Sequence, residues 1–168
     1  GGKNPTIVLA DADLDEAVEN VANAAFFSTG QKCTATSRAI VEDSIYDRFV
    51  EALVERTKKL KVGNGMEPGV DIGPAIDEAQ LQTDLKYIDI GRKEAGDPRI
   101  GGQRLTGGAY DKGYFVAPTI FADVTEDMTI AREEIFGPVL AVMRAKNFED
   151  AMRIANNIPL GLSASVQT

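Results

Sequence analysis

The 168-residue sequence contains no histidine, no tryptophan and a single cysteine, Cys33. Each absence closes a route. Without histidine there is no cysteine–histidine pair and no ordinary zinc ligand set. One cysteine cannot form an internal disulfide, which points to a reducing, cytoplasmic compartment rather than a secreted one. Positive charge is also in short supply: 18 Lys and Arg stand against 26 Asp and Glu, a net charge of −8 at pH 7. Nucleic acid is therefore not an expected partner, because phosphate contacts need clustered cations. No apolar run approaches the roughly 20 residues that span a bilayer, and the N-terminus has no basic segment followed by an apolar one. No membrane partner is expected. No GxGxxG follows a predicted strand, so nothing in this chain is expected to hold the adenine half of a dinucleotide.

What is present reads as one globular domain, residues 1–168, long enough to bury a core of its own. Strand and helix signals alternate. Thr6 to Leu9 is a short β-branched, apolar run. Asp13 then stands as N-cap with Glu16 three residues on, ahead of Leu14, Ala17, Val18, Val21 and Ala25 at helical spacing. The plan repeats with Arg38 to Val41 as strand and Ser44 as cap of a helix whose Ile45, Phe49, Val50, Leu53 and Val54 share a face. The Gly- and Pro-rich run 61–74 predicts a surface loop. Asp77 to Glu94 predicts a helix carrying Leu81, Leu85 and Ile88. Gly107 to Gly113 is turn-rich, and the segment after it is extended but interrupted by Pro118. Val139 to Val142 predicts a strand. Asn147 predicts the cap of a helix through Ala155, with Ala151, Met152 and Ile154 inward, and Leu162 to Val166 predicts the last strand. Alternation of this kind implies an α/β fold: a mainly parallel sheet with helices on both faces. The chain opens on Gly-Gly-Lys-Asn-Pro immediately before a strand and closes beside another, so it is expected to be a part of something longer.

Two motifs carry chemistry. In "STGQKCTATSR", residues 28–38, Cys33 is either a small buried hydrophobe or a nucleophile. Gly30 permits a tight bend, and Thr34, Ala35 and Thr36 keep the surroundings small enough for a carbonyl to approach. Lys32 is either a solvated side chain, a cation that favours the thiolate, or an anchor for a substrate carboxylate. Arg38 is expected to pair with a nearby carboxylate. In "AREEIFGPV", residues 131–139, Glu133 and Glu134 are adjacent, and neighbours seldom point the same way; the plain alternative is a solvated pair.

"GGKNP" at 1–5, "DADLDEAV" at 11–18, "GQKCTATSR" at 30–38, "GYFVAPTIF" at 113–121 and "EEIFGPV" at 133–139, in this order and spacing, resemble the catalytic domain of the NAD(P)-dependent aldehyde dehydrogenases. The resemblance covers essentially the whole chain. It implies oxidation of an aldehyde to a carboxylic acid with NAD or NADP, with Cys33 as nucleophile forming a thiohemiacetal and then a thioester. The backbone N–H of Cys33 is implied as an oxyanion donor. Glu134 is implied to bind the nicotinamide ribose hydroxyls, with Phe136 and Gly2 close to the nicotinamide, and Lys32 and Thr34 beside the substrate. Carboxylates suit the ribose because two acceptor oxygens match two hydroxyls.

The resemblance further implies that a cofactor-binding domain, a second oxyanion donor and the hydrolytic Glu lie outside these residues, the Glu just before Gly1. The isolated chain is accordingly expected to be inactive. The family's assemblies imply a homodimer or homotetramer. The string around Cys33 is most similar to that of dehydrogenases for acidic semialdehydes such as 2-oxoglutarate semialdehyde, while general aliphatic aldehyde dehydrogenases carry similar strings. Two further classes stand beside this one: a cysteine acyltransferase or hydrolase, disfavoured by the missing histidine, and a non-catalytic oligomerisation module that kept the fold, disfavoured by the intact surroundings of Cys33.

Overall fold

The computed structural model describes residues 1–168. Strand β1 (Asn4–Val8) leads into α1 (Leu14–Phe26), whose first turn is closed by Asp13 accepting the Glu16 N–H. That cap is the one the sequence predicts. A short 3-10 turn at Phe27–Gly30 follows, then β2 (Thr36–Glu42) and α2 (Asp43–Lys58). The strand passes into α2 without a loop, so the helix begins one residue before Ser44. Glu42 is the N-cap, and Ser44 lies inside the helix rather than capping it. The run 61–74 folds as a loop pinned by a bridge between Val62 and Ile72.

Helix α3 (Glu78–Ala95) starts at Asp77, which accepts the Gln80 N–H. It is followed by β3 (Thr119–Phe121), the single-turn α4 (Thr129–Arg132), β4 (Val139–Ala145), α5 (Phe148–Asn156) and β5 (Ser165–Gln167). Asn147 caps α5 by accepting the Asp150 N–H, as its sequence predicts. Met152 differs from expectation: it is 38% exposed while Ala151 and Ile154 are buried. A nine-residue helix lying on a sheet buries a narrow stripe, and Met152 falls just outside it.

The five strands form one sheet in the order β3-β4-β2-β1-β5, and every pairing is parallel. Side chains alternate across it with period two. Val8, Ala39, Val41, Leu140 and Val142 face α1 and α2, where Phe26, Tyr46, Phe49 and Leu53 complete one core. Ile7, Ile40, Val139, Ala141 and Met143 face the other way, against α3, α4 and α5 with Leu81, Ile88, Ile130 and Ile154. Helices on both faces explain why the strands read as unbroken apolar runs rather than alternating ones. No helix is long and apolar enough to cross a membrane.

Candidate active site

Three segments converge at the N-terminal edge of the sheet: Gly2 and Asn4 at the start of β1, the Cys33 loop ahead of β2, and residues 134–137 ahead of β4. Together they line a narrow crevice that includes Gly30, Lys32, Cys33, Glu134 and Phe136. Open parallel sheets usually place ligands at the carboxyl ends of their strands. Here the chemistry-bearing residues gather at the amino ends.

The Cys33 loop owes its shape to a left-handed turn. Ser28, Thr29 and Gly30 take φ of 58°, 60° and 67° in succession. Only glycine enters this region freely; the two side-chain-bearing residues each cost on the order of 1–2 kcal/mol. Hydrogen bonds offset this. The Thr29 hydroxyl donates to the Gly73 carbonyl, Gln31 donates to the Pro74 carbonyl, and Gln31 accepts the Ile76 N–H. Gly30 is required twice over, because a methyl there would overlap the Gly137 carbonyl.

Cys33 itself is exposed, with Lys32 and Thr34 exposed on either side. Lys32 forms no ion pair. The Cys33 carbonyl accepts from Asn4 Nδ2 at 2.7 Å, and the same amide donates to the Ala35 carbonyl at 2.8 Å. Asn4 Oδ1 in turn accepts the Ser163 N–H. The Cys33 N–H, which belongs to the preceding peptide unit, has no acceptor in the chain.

Glu133 and Glu134 diverge. Glu133 accepts a hydrogen bond from the Tyr87 hydroxyl at 2.6 Å, away from the crevice. Glu134 is half-buried and accepts the Gly2 N–H at 3.2 Å, which ties the start of β1 to the segment ahead of β4. Phe136 has a φ of 62° and is 37% exposed, an aromatic ring held out at the crevice. Of the six residues singled out from the sequence, Cys33, Lys32, Glu134, Phe136 and Gly2 line this one crevice, and the exposed Thr34 does not.

Arg38 departs from expectation. It is 2% exposed, and in place of a carboxylate it donates to three backbone carbonyls: Lys3, Ile154 and Ala155. Two of these lie in the last turn of α5, whose carbonyl end suits a cation. Burial holds its pKa down at about 10. Lys3 is also buried, its ammonium nitrogen without a partner; burial first, then the charge of Arg38, bring its pKa down to about 7.

Sequence reasoning passed over Asn4, Gln31, Gln80, Tyr87 and Asp84. The first two sit within quoted motifs, where a polar residue among glycines is a usable signal. Asp84 occupies a core position of α3, between Leu81 and Ile88, and a carboxyl there is the signal that was available.

The model of the aldehyde dehydrogenase family matches residues 1–168. The chain belongs to the aldehyde dehydrogenase family. It is 51% identical over its whole length to an alpha-ketoglutaric semialdehyde dehydrogenase of Bacillus subtilis, covering 34% of that protein. It is 49% identical to "aldehyde dehydrogenase, cytosolic 1" of Rattus norvegicus, covering all of this chain and 33% of the relative. The crystal structure of a betaine aldehyde dehydrogenase from Staphylococcus aureus in complex with NAD+ superposes with a TM-score of 0.97 at 36% identity, over the whole chain and 33% of that structure. The chain thus spans about a third of the length of the relatives it matches.

Proposed function

We propose that residues 1–168 form the cysteine-bearing catalytic domain of a longer NAD(P)-dependent aldehyde dehydrogenase, in which Cys33 is the nucleophile. The observation that carries this reading is the Cys33 peptide: an exposed thiol on a strained loop, with its carbonyl pinned by Asn4 and its N–H free. A thiolate attacking an aldehyde carbon develops negative charge on the former carbonyl oxygen. A fixed backbone N–H beside that oxygen stabilises the charge without reorganising. The resulting thiohemiacetal loses a hydride to give a thioester on Cys33, and water releases the carboxylic acid.

Bound NAD(P)+ supplies the hydride acceptor. The residues present fit the nicotinamide-ribose end of such a molecule. The half-buried carboxylate of Glu134 opens on the same crevice as Cys33, with the Phe136 ring beside it. Glu134 would accept hydrogen bonds from the ribose hydroxyls, Phe136 would contact the nicotinamide, and Gly2 would let the chain approach closely. The adenine half, the hydrolytic base and a second oxyanion donor belong, in this reading, to the rest of the protein.

Lys32 and Thr34 line the substrate side. The exposed, unpaired ammonium of Lys32 favours an acidic semialdehyde, and the semialdehyde name of the Bacillus subtilis relative supports that choice. The rat relative's name supports a cytosolic setting, in keeping with one unpaired, exposed thiol. A homodimer or homotetramer is the assembly proposed for the whole protein.

The test is Cys33→Ala in the full-length enzyme. Aldehyde oxidation should be lost because no covalent intermediate can form, while nicotinamide nucleotide still binds. Retained turnover removes Cys33 from the mechanism.

A further inference from the structure

Helix α3 carries a buried carboxyl that the proposed chemistry does not use. Asp84 is 0% exposed, its Oδ2 has no partner, and its Oδ1 accepts from Gln80 Nε2 at 2.7 Å. The second hydrogen of that amide goes to the Ile135 carbonyl at 3.0 Å. Both acceptors demand the NH2 group, so the Gln80 side chain has one orientation. The carboxyl of Asp84 also lies against Gly137, where a methyl would overlap Oδ1, and the Gly137 carbonyl lies against Gly30 in the same way. Helix α3, residues 135–137 and the cysteine loop are therefore stacked in direct contact.

We propose that Asp84, acting through Gln80 and Gly137, is a positioning residue that seats the Glu134–Gly137 segment, and with it the Glu134 carboxylate and the Phe136 ring, against the Cys33 loop. The proposal rests on the reading of Glu134 and Phe136 as nucleotide contacts.

The left-handed backbone at Phe136 gives the clamp something to resist. A non-glycine residue at a φ of 62° persists only where its surroundings hold it. One side is held by Glu134 accepting the Gly2 N–H, the other by Gln80 on Ile135 and Asp84 under Gly137.

The clamp is also sensitive to the charge on Asp84. Burial raises its carboxyl to about 7, with the Gln80 hydrogen bond opposing. The charged groups on the elements around it are engaged elsewhere. Glu133 is held by Tyr87, Glu134 by Gly2, Glu94 by the Thr129 and Ile130 N–H groups, and Arg132 by the Glu126 carbonyl. Lys93 on α3 pairs with Asp89, Arg92 with Asp97, and Lys86 lies over the Tyr87 ring. None compensates an ionised Asp84, whose unpartnered Oδ2 must then draw in water or move away from Gly137.

The experiment uses the full-length enzyme, with Asp84→Asn, Asp84→Leu and Glu134→Gln as variants. Equilibrium binding of NAD+ and NADP+ is measured by calorimetry without aldehyde across neutral pH. In parallel, a trifluoromethyl-phenylalanine placed at Phe136 is followed by fluorine NMR without nucleotide. Wild type should lose about fivefold in affinity as pH rises through about 7, and its fluorine line should shift with the same midpoint.

Asp84→Asn keeps the acceptor for Gln80 and cannot ionise, so both pH dependences should shrink to the part contributed by buried Lys3, which also titrates near 7 and feels the Glu134 charge. Asp84→Leu removes the acceptor and should weaken binding about tenfold at every pH. If Asp84→Leu does not fold, the Asp84→Asn profile decides alone. A pH dependence unchanged in Asp84→Asn overturns the positioning role. Fluorine shifts as expected, together with full nucleotide affinity in Glu134→Gln, overturn the reading of Glu134 and leave the clamp standing.

Discussion

The side-chain amide of Asn4 donates to the carbonyl of Cys33 at 2.7 Å, so the first residue of β1 fixes the peptide that presents the thiol. Both N–H groups of that amide are used, with Ala35 O as the second acceptor, and its oxygen accepts the Ser163 N–H. Asn4→Ala leaves two carbonyls and one N–H unpaired at a largely buried position. Each orphaned group costs about 1–3 kcal/mol, so a loss of roughly 3 kcal/mol in unfolding free energy is expected by denaturant titration. The rate at which Cys33 reacts with iodoacetamide should change as well, since its loop is released. A variant with unchanged stability and alkylation rate would show that the loop is held by Gln31 and Thr29 alone.

Glu133 and Glu134 are neighbours with opposite duties. Glu133 is taken by Tyr87 on α3, whereas Glu134 faces Gly2 and the crevice. In the full-length enzyme Glu134→Gln should lower hydride transfer at least about tenfold, because a carboxylate accepting from hydroxyls is replaced by an amide that must offer one donor side. Glu133→Gln should change it much less. Equal losses, or a loss confined to Glu133→Gln, would reverse the assignment.

The divergence of that pair was legible in part. Period and adjacency say that two consecutive carboxylates part company, but which one faces the site depends on Tyr87, some 46 positions away in sequence, and no local pattern encodes that. The same holds for Arg38. Its type suggests a carboxylate partner, yet its position in β2 brings it under the end of α5, where backbone carbonyls are the available acceptors. Caps at Asp13 and Asn147 were readable because they are three-residue relations, whereas Asp77, read as the first helical residue, is the cap of α3. The clustering of Gly2, Cys33 and Glu134 was reachable only through resemblance, since it joins three strand starts that lie up to 132 positions apart. Asp84 was visible as a polar residue on an apolar helix face, but its meaning required seeing Gly137 against it.

Asp84 should leave a signature in stability. Its carboxyl moves from 3.8 in the unfolded chain to about 7 in the folded one. Below the unfolded value both states are protonated and the group costs nothing. Between the two values only the unfolded state gives up its proton, so stability falls as pH rises from about 4 to about 7 and then levels off. The displacement sets a ceiling of about 4 kcal/mol. Asp84→Asn should therefore be more stable than wild type above neutral pH, by up to about that amount, and close to wild type near pH 4. Urea titrations at the two pH values check this. A stability difference that does not depend on pH would mean that the carboxyl stays ionised in the folded chain.

Residues 1–168, produced alone, should fold cooperatively and yet form no NADH from an aldehyde. Folding is expected because two closed cores flank a fully parallel sheet and all three side-chain caps belong to the chain itself. Inactivity is expected because, in the proposed reading, the chain supplies only the nicotinamide-ribose end of a nucleotide site and no glycine-rich dinucleotide turn, and because the proposed chemistry needs a hydrolytic base and a second oxyanion donor from elsewhere. Loss of a single such group costs on the order of a hundredfold to ten-thousandfold in rate. Exposed Cys33 should still be alkylated by iodoacetamide, and that labelling separates an inactive folded chain from an inaccessible thiol. Sustained NADH production by the purified chain would sink the proposal, because base and cofactor site would then have to lie among residues that the structure commits to the sheet and its two cores.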